Sequence, residues 1–168
     1  MKINVEKCAQ ILREKDNILI LTHAHPDGDT LGCGFALCRA LLELGKKARV
    51  ICADEIQKKY AYLMQDLDMP SFDEDYVVAV DVATENLLGS LQDVYGGKID
   101  MCIDHHGSNT DYAKYLLLNA DAAAACEIIF KVIKALGVDI DKSIANCLYT
   151  GLTTDTGCFR YSSATSNT

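Results

Sequence analysis

His23, Asp27 and Asp29 lie four and two residues apart in the stretch Thr22-His23-Ala24-His25-Pro26-Asp27-Gly28-Asp29-Thr30. Imidazole nitrogen and carboxylate oxygen are the donors that a hard or borderline divalent cation prefers. Pro26 stiffens the backbone and Gly28 lets it bend, so both aspartates can address one point. The plainer use of such a loop is to cap the next helix with Asp29 or Thr30. Three later groups tip the balance toward a cation: Asp81, then Asp104-His105-His106, then Asp155, each closing an apolar run. The middle group is the most specific. Three adjacent ionisable residues after Met101-Cys102-Ile103 are costly unless paired or bound to a cation.

The inventory is therefore His23, Asp27, Asp29, Asp81, His105 and Asp155. Its four carboxylates carry the charge that two divalent cations would match. Two such ions about 3.5–4 Å apart suit attack on a phosphorus centre. A bridging carboxylate is needed, and Asp81, from the strand between the other groups, is the best candidate; Thr84 offers another cap and so leaves Asp81 free. Other polar residues have quieter readings. Asp121 and Glu127 suit a helix start, Ser108 and Asn109 suit a turn, and Cys33 suits packing.

These residues need a scaffold that gathers strand ends. Apolar runs at 18–22, 49–52, 76–80, 99–103 and 115–118 read as strands. Helical spacing joins Val5, Cys8, Ala9 and Leu12, and further helices are predicted over 31–44, 56–67, 86–95, 122–136 and 141–154. Gly45 and Gly137 stop two of them. Strands alternating with helices predict an α/β fold, a mostly parallel, Rossmann-like sheet with helices on both faces. Ligands in such sheets sit beyond the carboxyl ends of the strands, which is where the polar groups fall.

Composition sets outer bounds. The 168 residues suit one domain, or one domain plus part of another. The net charge of −8 argues against an extended grip on duplex DNA or on an anionic membrane. Eight cysteines include no C-x-x-C pair, so a thiolate zinc site is not expected. Most lie in apolar runs, and a reducing cytoplasm is the expected compartment. The N-terminus does not read as a signal peptide, nor any run as a membrane span. A nucleotide- or dinucleotide-binding module without catalysis is the alternative from another class. Gly28, Gly32 and Gly34 stand in the wrong order for it, and Asp27 and Asp29 would repel a pyrophosphate unless cations intervene.

In its motifs the chain resembles the catalytic domain of the DHH phosphoesterase superfamily. His23-x-x-x-Asp27-x-Asp29 matches the first motif, Asp81 the second and Asp104-His105-His106 the third. Thr150-Gly151-Leu152-Thr153-Thr154-Asp155-Thr156-Gly157 with Phe159-Arg160-Tyr161 matches the fourth. The wording is most similar to the branch of bifunctional oligoribonucleases and pAp phosphatases, whose relatives cleave cyclic dinucleotides. The resemblance implies the following roles. His23 and Asp27 hold one cation, Asp29 and His105 a second, Asp81 bridges and Asp155 completes the set. His106 faces the substrate phosphate, Asp104 orients a histidine, and these two with Asp81 form the catalytic group. Arg160 joins His106 in binding substrate, while His25 stays off the metal. It also implies two Mn²⁺ ions, with Mg²⁺ or Co²⁺ as substitutes. The substrate would be a small phosphorylated one: short RNA, pAp or a cyclic dinucleotide. Pyrophosphatase or exopolyphosphatase activity is the alternative within the superfamily. Members of the branch carry a second, basic domain with a glycine-rich motif, which this sequence lacks. Residues 1–168 are thus expected to be a truncated catalytic domain, from a parent compatible with a homodimer.

Overall fold

The computed structural model describes all residues, 1–168. Five strands are β1 (Ile18–Leu21), β2 (Ala48–Ile51), β3 (Tyr76–Val80), β4 (Met101–Asp104) and β5 (Tyr115–Leu118). They form one sheet in the order β2-β1-β3-β4-β5, and every pairing is parallel. All carboxyl ends therefore lie along one edge. The five α-helices are α1 (Val5–Glu14), α2 (Gly28–Glu43), α3 (Gln92–Tyr95), α4 (Ala125–Leu136) and α5 (Lys142–Asp155).

Side chains alternate across the sheet, as a strand's two-residue period requires. Ile18, Ile20, Val78, Val80, Met101 and Ile103 face a large core shared with α1, α2, α4 and α5. Leu19, Leu21, Val77, Ala79, Cys102 and Leu116 face a thinner layer that includes Leu88 and Ala113. The chain leaves β1 for β2 through α2 and leaves β3 for β4 through Glu85–Leu91 and α3. These connections run in opposite directions along the sheet and cover opposite faces. The crevice between β1 and β3 is therefore the switch point where open α/β sheets bind ligands.

Close packing of α2 on α5 brings distant residues to that crevice. A Cβ on Gly32 would strike the Cys147 carbonyl, and one on Gly151 would lie 2.6 Å from Asp29 Oδ1. Bare glycine faces let the helices approach until Asp155, at the end of α5, meets Asp29, in the first turn of α2. Gly28 and Gly32 thus serve helix packing, not a phosphate loop.

Five local expectations change. The cap of α2 is Asp27, whose carboxylate accepts from the N–H groups of Asp29 and Thr30 at 2.9 and 3.1 Å. Asp29 and Thr30 are themselves helical. Residues 56–67 hold a 3₁₀ stretch, Lys58–Met64, which buries Tyr60 and Leu63 at a three-residue spacing. Residues 86–95 are broken at Gly89, whose φ of +59° lets the chain pass close to Ala24. Thr84 stands at the start of this stretch but makes no capping bond to the backbone. The helix predicted from 122 begins at Ala125, because the Ala122 carbonyl is engaged by His105 and Asp29 occupies the helix start.

Six cysteines are buried, Cys52 is half-buried and Cys158 is exposed, all as free thiols. No helix is long and apolar enough to cross a membrane.

Candidate active site

Asp81 is the centre of the polar edge. It follows β3 with a φ of +57°, a left-handed conformation uncommon outside glycine and typical of functional sites. Its N–H is tied to the Ile103 carbonyl at 2.9 Å. Its two oxygens face different neighbours. Oδ2 lies 3.7 Å from His23 Nε2, and Oδ1 lies 3.6 Å from His105 Nε2.

Each histidine sits in its own triad. His23 Nε2 is 3.7 Å from Asp27 Oδ1, so His23, Asp27 and Asp81 converge. His105 Nε2 is 3.3 Å from Asp155 Oδ2 and 3.9 Å from Asp29 Oδ2, so Asp29, His105 and Asp155 converge. Backbone carbonyls set both rings. His23 Nδ1 lies 2.7 Å from the Ala24 carbonyl, and His105 Nδ1 lies 3.1 Å from that of Ala122. A carbonyl only accepts, so Nδ1 carries the proton and Nε2 is aimed into the site.

The donor set fits divalent cations on an independent ground. Asp81 Oδ1 and His105 Nε2 are buried without a hydrogen-bond partner. Buried polar atoms are rarely left so. A cation between them would satisfy both.

Electrostatics point the same way. Burial, then the charges of Asp81 and Asp155, push the Asp29 carboxyl up to about 7. Burial also raises Asp81. Burial works against charge on His23, yet Asp27 and Asp81 lift its pKa to about 10. His105 reaches about 9 against the same opposition, through Asp155, the Ala122 carbonyl, Asp81 and Asp29. The cage of carboxylates demands positive charge, supplied by protons on the imidazoles or by cations.

Asp29 does a second job that sequence spacing did not show. Its oxygens accept from the N–H groups of Ala125 at 2.6 Å and Cys126 at 3.0 Å, so it caps α4 from another helix. Cys33 packs behind it, 3.4 Å from Cys126.

Asp104 and His106 form a separate pair. Asp104 Oδ1 accepts from His106 Nδ1 at 2.8 Å and from the N–H groups of His105 and His106. Asp104 thus orients His106, whose Nε2 is left free. The Asp104 contact holds the His106 pKa above its usual value. Asp104 itself is completely buried, and burial would raise its pKa, but its bonds from His106 and Asn109 hold it low. Arg160 is exposed, and its guanidinium makes no ion pair with these carboxylates. His25 pairs with Asp54 at 3.0 Å, away from both triads. Glu127 accepts from the Ala123 N–H at the start of α4.

Known proteins are similar to this chain in sequence and in fold. The bifunctional oligoribonuclease and PAP phosphatase NrnA of Thermus thermophilus is 32% identical over 165 residues, covering 94% of this chain and 49% of that protein. A protein named as a probable manganese-dependent inorganic pyrophosphatase, from Streptococcus thermophilus, is 24% identical over 148 residues, covering 83% and 48%. The crystal structure of an exopolyphosphatase-related protein from Bacteroides fragilis superposes with a TM-score of 0.85 at 24% identity, covering 96% of this chain and 52% of that one. The chain spans about half the length of each of these three proteins. Residues 17–152, which hold every convergent side chain but Asp155, match the DHH family, N-terminal domain, and the chain belongs to that family.

Proposed function

We propose that this chain is the catalytic half of a divalent-cation-dependent phosphoesterase acting on short oligoribonucleotides or nucleotide phosphates such as pAp. The observation that carries the reading is the division of Asp81, with one oxygen toward each triad. His23, Asp27 and Asp81 would hold one cation, and Asp29, His105, Asp155 and Asp81 the second. When bound, such a pair activates water and neutralises charge on a phosphate. Manganese is the favoured ion, given the mixed nitrogen and oxygen donors and the manganese-dependent relative.

The remaining work falls to the chain's own groups. His106 Nε2, with Nδ1 anchored on Asp104, is free to donate to a phosphate oxygen when the ring is the imidazolium, the form that the Asp104 contact favours. The chain is acidic, so further Arg and Lys donors for a polyanionic substrate would come from a second domain, with Arg160 a contribution from this one. A cytoplasmic site of action agrees with the buried free thiols.

A hydrolysis panel with added Mn²⁺ tests the reading: pAp, phosphorylated dinucleotides, cyclic dinucleotides, pyrophosphate and bis-p-nitrophenyl phosphate. Cation-dependent cleavage of an ester, lost in Asp81→Asn, supports it. Cleavage of pyrophosphate alone would move the assignment to a pyrophosphatase. No cleavage with cations bound would sink it for this chain.

A further inference from the structure

Asn109 looks like an ordinary turn residue by its place after Gly107-Ser108. Its hydrogen bonds say otherwise. Its Nδ2 donates to Asp104 Oδ2 at 2.7 Å, the one protein group that does so, while the other Asp104 oxygen takes three N–H donors. The amide cannot be flipped. Its Oδ1 accepts from the Asp111 N–H at 2.8 Å, so the NH₂ must face the carboxylate. The same NH₂ lies 3.4 Å from the Val82 carbonyl, directly after Asp81. Tyr112 Oη donates to that carbonyl at 2.8 Å, and the Thr110 N–H donates to Ala83 O at 3.0 Å. The loop after the histidine pair is thus fastened to the turn that carries Asp81.

The position of His106 makes this consequential. Its Nδ1 lies 2.8 Å from Asp104 Oδ1 but also 3.5 Å from Asp81 Oδ1. The second oxygen is the buried one with no hydrogen-bond partner, the same atom that faces His105. Two carboxylates therefore compete for one N–H. A carboxylate held at only one oxygen can turn about its last torsion and loosen its grip.

We propose that Asn109 is a positioning residue: by pinning Asp104 Oδ2 it keeps the His106 N–H on Asp104 and leaves Asp81 Oδ1 free for a cation. The consequence for catalysis rests on the phosphoesterase reading. The choice of hydrogen-bond partner does not.

The test begins with the unaltered chain, free of cation and substrate. Proton–nitrogen NMR of the His106 ring should show an Nδ1 proton protected from exchange with water. An unprotected Nδ1 proton would overturn the proposal without any variant. Asn109→Ala removes the clamp. Asn109→Asp keeps the shape but sets an acceptor against Asp104. Both should shift the Nδ1 proton resonance as the N–H turns from Asp104 toward Asp81, and Asn109→Asp should do so at least as strongly, which a purely space-filling role would not produce. Tyr112→Phe, which cuts a strap to Val82 without touching Asp104, should leave the ring signal in place. Mn²⁺ affinity by calorimetry should fall by about 10–100-fold in both Asn109 variants, the range for groups that orient ligands. A wild-type ring signal in both Asn109 variants would refute the assignment. A changed signal in a chain that cleaves no phosphate ester would support it and refute the phosphoesterase reading instead.

Discussion

The two triads differ in how the chain builds them. His23 and Asp27 come from one loop, and the Asp27 side chain is 44% exposed. Asp29, His105 and Asp155 come from three distant segments, and Asp29 is wholly buried. The first triad is a local device with one long-range member, Asp81. The second exists only once α2, α4 and α5 have packed. In the first triad Asp27 caps only the helix it precedes, α2, whereas in the second Asp29 also caps α4, a helix distant in sequence.

The largest effect should come from Asp81→Asn, the one change that strikes both triads equally. Both cation positions should empty together on dialysis, and turnover should fall by more than about 1,000-fold, beyond the 10–100-fold typical of residues that only orient ligands. Elemental analysis and kinetics check this. Retention of one tight ion would show that the triads are independent.

Gly151→Ala should separate them. Its Cβ would sit 2.6 Å from Asp29 Oδ1 and 3.0 Å from Asp29 Cα, so α5 must retreat from α2. The second position should be lost and the first retained. Overpacking of this kind costs about 1–3 kcal/mol, visible as a lower Tm. Two ions bound at wild-type affinity would mean that the helix approach does not control the second triad.

Asp27→Ala and Asp29→Ala sharpen the contrast. Each should cost one ion. Only Asp29→Ala should speed hydrogen exchange at Ala125 and Cys126, whose N–H groups lose their acceptor. Asp27→Ala should cost about 1 kcal/mol as a lost cap and leave the start of α4 protected. Equal exchange in the two variants would erase the distinction between them.

The smallest effect concerns protons. The pKa of His23 is raised to about 10 and that of His105 to about 9, so near pH 7.5 both rings carry a second proton, on Nε2, in the cation-free chain. A nitrogen that takes a cation must first lose it. Mn²⁺ binding should therefore release protons, and affinity should climb with pH until the free rings are neutral. Calorimetry in buffers of different ionisation enthalpy measures the release. Binding without it would remove the imidazoles from the ligand set.

Much of this was legible in the residues. The five apolar runs, the parallel sheet and the polar edge follow from local pattern, because burial on both faces selects continuous apolar strands. The short spacing of His23, Asp27 and Asp29, and the unbroken Asp104-His105-His106, marked side chains that the fold brings together, because dense ionisable groups after a buried strand need partners. Packing decided the rest. Spacing alone could not show that Asp27 caps α2 while Asp29 caps α4, since the second helix start lies 96 residues away. Nor could it show that Asn109 serves Asp104, or that bare glycine faces draw Asp155 to Asp29. Local sequence governs backbone preference and burial period. Which carboxylate oxygen meets which donor depends on helices crossing at van der Waals distance, and that contact exists only in the folded chain.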